Sequence, residues 1–111
     1  MTTIFEKIID GEIDSEKVFE NENFIVIKDR FPLAPVHLLI IPKKHIEKFQ
    51  NIVEEDLILL AEAGKIIQQL AKEFNITDGY RIVINNGASG GQTVFHLHIH
   101  LLGGRSLGAI A

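Results

Sequence analysis

The sequence predicts an α+β fold: an antiparallel sheet of about five strands carrying one long and one short helix. Three observations predict it. The apolar segments are short, β-rich and closely spaced, which favours antiparallel pairing. One stretch in the middle keeps a helical period over several turns. No repeat, low-complexity tract or linker divides the 111 residues, so a single domain spanning residues 1–111 is expected.

Taken in order, TIFEKII (residues 3–9) places Ile4, Phe5, Ile8 and Ile9 on one helical face, and Gly11 supplies a stop. KVFE (17–20) and FIVIKD (24–29) read as strands separated by the turn-forming trio Asn21, Glu22 and Asn23. FPLAP holds two prolines in four residues and cannot be regular structure. VHLLIIP (36–42) is an aliphatic run closed by Pro42 and reads as a strand. From about residue 53 to 74, Leu57, Leu60, Ala61, Ile67, Leu70, Ala71 and Phe74 follow helical period, with Asn51 and Glu54 spaced as an N-cap pair. YRIVINN (80–86) is a further strand. GASGGQ (87–92) is a glycine-rich loop, and TVFHLHIHLL (93–102) is the last strand, closed by Gly103 and Gly104.

Composition narrows the function. The net charge is −4 and no basic run extends beyond Lys43-Lys44, which argues against a nucleic-acid or acidic-membrane surface. The absence of cysteine excludes disulfides and thiolate zinc sites. The N-terminus lacks the apolar core of a signal peptide, and no apolar run approaches the roughly 18–20 residues of a membrane span, so a cytoplasmic protein is the expectation.

The chemistry concentrates in HLHIH (96–100), which uses three of the five histidines at every second position. On a strand, His96, His98 and His100 share one face, about 6–7 Å apart, and Leu97, Ile99 and Leu101 take the other. Packing three imidazoles side by side for structure alone would bury ring nitrogens that need partners. A metal reading is incomplete, because the outer two rings stand about 13 Å apart by strand rise, and neither a cysteine nor a His-Glu-x-x-His helix completes a site. A covalent reading fits more of the chain. An imidazole nitrogen can attack phosphorus or an acyl carbon, and NNGASGGQT (85–93) supplies close-approaching glycines with Asn85, Gln92 and Thr93 as donors beside it. His45 has no evident chemical neighbour and reads as an ordinary histidine.

HLHIHLL has the alternating His-apolar pattern of the histidine triad superfamily, and GGQTVFHLHIHLLGGR resembles its Hint branch of nucleoside phosphoramidate hydrolases. The likeness extends to TIFEKIIDGEI, to Asp29 and HLLIIPKKHI, and to GYRIVINNG. It implies a HIT-like fold that pairs as a homodimer into a ten-stranded sheet. It also implies hydrolysis of purine nucleoside 5′-phosphoramidates, with AMP or GMP as bound product; on the residues themselves, which lack a third reliable ligand, no cofactor or metal is expected. In that resemblance His98 is the nucleophile, His100 and His37 contact the phosphate, and His96 orients the centre, its carbonyl accepting the His98 ring proton. Asp29 accepts the ribose hydroxyls. Asn85, Gly91, Gln92 and Thr93 line the phosphate, and Ile4, Phe5, Ile8, Ile13 and Ile27 form the base slot. Two rival readings are a dinucleoside polyphosphate hydrolase and a nucleotide-binding regulator with incidental turnover. The chain departs from the family in three places. Thr93 stands where many relatives carry serine, Arg30 occupies a usually apolar position at the substrate side, and the tail RSLGAIA lacks the tryptophan of animal members.

Overall fold

The computed structural model describes residues 2–110; the outermost residues of the 1–111 span, including the last of the tail RSLGAIA, lie outside it. The elements follow as α1 (Ile4–Ile9), β1 (Lys17–Glu20), β2 (Phe24–Lys28), β3 (Val36–Pro42), α2 (Ile58–Glu73), β4 (Tyr80–Val83) and β5 (Ile99–Gly103). The five strands form one antiparallel sheet in the order β1-β2-β3-β5-β4.

Strand alternation divides the molecule into two apolar layers. Phe24 and Val26 of β2, Leu38 and Ile40 of β3, and Ile99 and Leu101 of β5 pack beneath α2, against Ala63, Ile66, Ile67, Leu70 and Ala71. The intervening residues Ile25, Ile27, Leu39 and Ile41 pack on the opposite face with Phe5 and Ile8 of α1. His37 and His100 belong to this second set by alternation, so the α1 face carries the polar groups and the α2 face is purely structural.

Local chemistry explains the element ends. Thr3 caps α1 in a reciprocal capping box: its hydroxyl accepts from the Glu6 amide at 3.2 Å and its own amide donates to the Glu6 carboxylate at 2.9 Å. At the β1–β2 turn, Asn21 Oδ1 accepts the amides of Asn23 and Phe24. The side chains of Asn21 and Asn23 donate to the two oxygens of Glu62, which ties the turn to α2.

Three sequence expectations are corrected. The long helix begins at Ile58, not near 53. Two 3₁₀ turns (Phe49–Asn51 and Glu54–Asp56) precede it, and Asn51 lies inside the first of them instead of capping α2, whose N-cap, Leu57, makes no side-chain bond. The strand expected over 80–86 ends at Val83. The final strand begins at Ile99, so His96 and His98 precede it. The cause is at Pro42, where β3 stops. Beyond it the Leu97 amide donates to the Ile46 carbonyl at 2.6 Å, and the Pro42 carbonyl is taken by the His96 ring at 2.7 Å, not by a ladder partner.

Two glycines test this backbone. Gly104 follows β5 at φ +95°, and an added Cβ would stand 2.9 Å from Pro35 Cβ. Gly104→Ala should therefore cost about 1–3 kcal/mol. Gly64 lies mid-helix in α2 with open space around it, so Gly64→Ala should stabilise by about 0.5–1 kcal/mol. Urea unfolding of the two variants should shift in opposite directions.

Candidate active site

Four imidazoles meet on the α1 face, and backbone groups fix where each carries its proton. The His98 Nδ1 lies 2.7 Å from the His96 carbonyl oxygen. A carbonyl only accepts, so Nδ1 holds the hydrogen and Nε2 keeps a free lone pair. The Leu33 amide donates to His37 Nδ1 at 3.1 Å, which leaves the hydrogen of His37 on Nε2. That nitrogen stands 2.9 Å from His100 Nδ1, so it donates there and His100 carries its own hydrogen on Nε2. His96 donates from Nε2 to the Pro42 carbonyl, and its buried Nδ1 has no partner among the described residues. One ring thus offers a lone pair and its neighbour offers an N–H, with the His98 and His100 centroids 5.1 Å apart. Phe5 meets the His98 ring edge-on at 4.9 Å.

Burial is the main influence on all four rings, and it disfavours the charged form. It lowers His37 and His98 against the opposing pull of Asp29, and lowers His96 against its bond to Pro42. His100 is pushed to about 4, first by burial and then by the neighbouring His98 and His37. The group is therefore neutral at pH 7, as a nucleophilic imidazole must be.

The rings open into a cleft of about 520 Å³. Ile4, Phe5, Ile8, Ile27 and Leu39 form an apolar wall, and His98, His100, Asn85, Gly91 and Thr93 stand opposite. Asp29 and Arg30 lie at the mouth with Phe31 and Leu33, which are 77% and 70% exposed. Asp29 Oδ1 accepts the Phe31 amide at 2.8 Å, bracing the proline-rich turn, while Oδ2 lies 3.4 Å from His37 Nε2. Gly91 has φ +99°, and a Cβ there would reach 3.6 Å from the Asn85 side chain. Only glycine holds that conformation without strain.

These features agree with an independent likeness. The HIT domain model matches residues 10–107. The chain belongs to the HIT family. It is 76% identical to a HIT-like protein of Chlamydia pneumoniae over 98% of this chain and 99% of that one. An uncharacterized HIT-like protein of Chlamydia trachomatis is 71% identical over the full length of both. The crystal structure of a HIT family hydrolase from Legionella pneumophila is 44% identical and superposes with a TM-score of 0.92 over 95% of each chain. A HIT family hydrolase from Clostridium thermocellum is 45% identical with a TM-score of 0.93, over 97% of this chain and 95% of that one.

Within this HIT fold most of the expected residues gather at the cleft, and four stand behind it. His37 is buried beneath His100. His96 is fully buried and reaches the site through its carbonyl. Ile13 packs with the α1-side core and does not line the cleft. Gln92, expected to line the phosphate, is buried with its amide spent on the backbone: Oε1 accepts from Gly87, and Nε2 donates to the carbonyls of Glu47 and Val94. It sets the shape of the glycine loop instead. The expected even row of rings 6–7 Å apart is also corrected, because His98 lies outside the strand and approaches His100 more closely.

Sequence reasoning missed His45 and Glu6. His45 stacks on His96 with centroids 5.0 Å apart and planes 8° from parallel, and its Nδ1 is 3.3 Å from the Glu6 carboxylate. The signal was available: β3 and β5 pair antiparallel, so residues just after Pro42 lie opposite those just before His98. Among the described residues, carboxylate and ring atoms converge within 4.8 Å twice, at Asp29–His37–His100 and at Glu6–His45–His96. In the first group His37 Nε2 would have to exchange its hydrogen for an ion to act as a ligand.

The lowered histidines predict a pH signature. Each binds its proton more weakly folded than unfolded, so their stabilising contribution is complete above about pH 6.5 and is lost as pH falls from there towards 4. Melting temperature should fall through that window. His100→Asn should flatten the fall.

Proposed function

We propose that this chain is a hydrolase of purine nucleoside 5′-phosphoramidates, acting through a nucleotidyl-histidine intermediate. The observation that carries the reading is the ordered proton pattern: His98 presents a lone pair at Nε2, and His100 beside it presents an N–H. Nε2 attacks phosphorus, the P–N bond breaks, and the amine departs with a proton taken from solvent. His98 becomes a phosphorylated imidazolium whose Nδ1–H stays on the His96 carbonyl. Water then attacks phosphorus and gives up a proton to solvent, the His98–P bond breaks, and the nucleotide leaves with the neutral ring restored. The His100 N–H, the Thr93 hydroxyl and Asn85 suit the phosphoryl oxygens. The wall of Ile4, Phe5, Ile8 and Ile27 suits a flat base, and the free oxygen of Asp29 suits a ribose hydroxyl. Arg30, exposed at the mouth, adds a cation on the substrate side.

His98→Asn should abolish turnover of an AMP-amine substrate while AMP still binds. Quenched wild-type enzyme should carry the mass of a nucleotidyl adduct that the variant lacks. Activity should survive EDTA, since no step needs an ion. Wild-type rates in His98→Asn would remove His98 from the chemistry, and zinc-restorable loss on chelation would replace this mechanism with a metal-dependent one.

We further propose a homodimer. β4 is an outer strand with Ile82 half-exposed on it, and pairing with a second copy would satisfy its open ladder groups and extend the sheet to ten strands. Light scattering should give about 25 kDa, twice the 12.4 kDa chain. Asn substitution at Ile82 should weaken the association. A monomer at micromolar concentration would end the proposal.

A further inference from the structure

The reaction above makes no use of the cluster behind His96, although that cluster is fully built. The His45 Nε2 lies 3.1 Å from the Phe95 carbonyl and its Nδ1 lies 3.3 Å from Glu6 Oε2. Both ring nitrogens face oxygen acceptors, so the ring is held from two sides. Glu6 is itself held: its other oxygen accepts the Thr3 amide, and this bond, ahead of His45, keeps the carboxyl below its ordinary range. The same Thr3–Glu6 box caps α1, whose Phe5 touches both His96 and His98 edge-on, at 6.1 and 4.9 Å.

His96 is the part these groups enclose. Its ring lies parallel against His45 and is kept neutral chiefly by burial. Its one side-chain hydrogen bond runs to Pro42. The carbonyl that fixes the His98 proton belongs to the same residue. Free neutral histidine in water carries its proton mostly on Nε2, the nitrogen that has to attack. The His96 carbonyl must therefore stay aimed at Nδ1 to hold the less favoured tautomer.

We propose that His45, anchored by Glu6, is a positioning residue that clamps His96 so that its carbonyl holds the proton of His98 on Nδ1. The catalytic consequence rests on the reading of His98 as nucleophile; the tautomer itself does not. Thr93, Val94 and Phe95 link this cluster to the cleft along the chain, so the clamp acts on the segment that leaves the sheet before β5.

The test combines kinetics with nitrogen NMR of histidine-labelled protein. In the wild type, His98 should show a protonated Nδ1 and an unprotonated Nε2. His45→Ala should mix the two tautomers and lower kcat about ten- to a hundred-fold, the scale for losing an orienting partner of a functional histidine, with KM little changed. Glu6→Gln, which retains an acceptor for the Thr3 amide, should give a smaller defect of the same kind. The double variant should be no worse than His45→Ala alone. Should His45→Ala fail to fold, His45→Phe keeps a flat ring against His96 without the two hydrogen bonds and carries the same expectation. An unchanged His98 tautomer in folded His45 or Glu6 variants would overturn the clamp. So would a stoichiometric divalent metal in the purified protein whose removal reproduces the defect. If the wild type cleaves no phosphoramidate but His45→Ala still mixes the tautomers, the clamp stands and the proposed reaction falls.

Discussion

The hydrogen bond from His98 Nδ1 to the His96 carbonyl, 2.7 Å long, is the constraint on which the site depends. A peptide carbonyl inside a ladder is already committed to a neighbouring strand. For this one to serve a side chain, the segment before Ile99 must leave the sheet, and it does so where β3 meets Pro42. Everything around that departure supplies substitute partners: Ile46 takes the Leu97 amide, Gln92 takes the Gly87 amide and the carbonyls of Glu47 and Val94, and His96 takes the Pro42 carbonyl. These bonds, made outside the ladder, fix the path of the irregular segment.

The sheet makes this affordable by separating duties. Its α2 face buries an uninterrupted aliphatic layer that carries stability. Its α1 face accepts four neutral imidazoles, a carboxylate and a cleft. A residue such as His100 lies between Ile99 and Leu101, whose packing against α2 secures the strand from behind. Buried polar rings are costly unless satisfied. Here, among the described residues, His96 Nδ1 is the one buried ring nitrogen without a partner.

Much of this was legible in the sequence, and the misses share one origin. Alternation in VHLLIIP and HLL placed the core residues on their faces, and the histidine spacing located rings that line the cleft, because those signals are local. The long helix was recognised by its period, but its start was misplaced: Asn51 and Glu54 have the spacing of a cap, yet the chain there is bound into successive tight turns. Gln92 read as a ligand because a polar residue beside glycines resembles a phosphate donor. Its true partners, Glu47 and Val94, include one 45 residues away. His45 read as ordinary because its neighbours Glu6 and His96 are distant in sequence. Register between strands brings such residues together, and no single segment encodes it.

The Leu33 amide that enters the His37 ring gives the site an unusual kind of durability. Of the groups that dictate where the imidazole protons sit, three are main-chain atoms: this amide and the carbonyls of His96 and Pro42. Main-chain atoms are common to every amino acid, so these three instructions come from the path of the chain, which the His96 ring helps to hold. Position 33 can change character without erasing the instruction it issues, whereas position 96 also needs its ring, held between His45 and the Pro42 carbonyl, to keep its own carbonyl aimed. Proline at position 33 is the exception, since it alone would delete the hydrogen that starts the series.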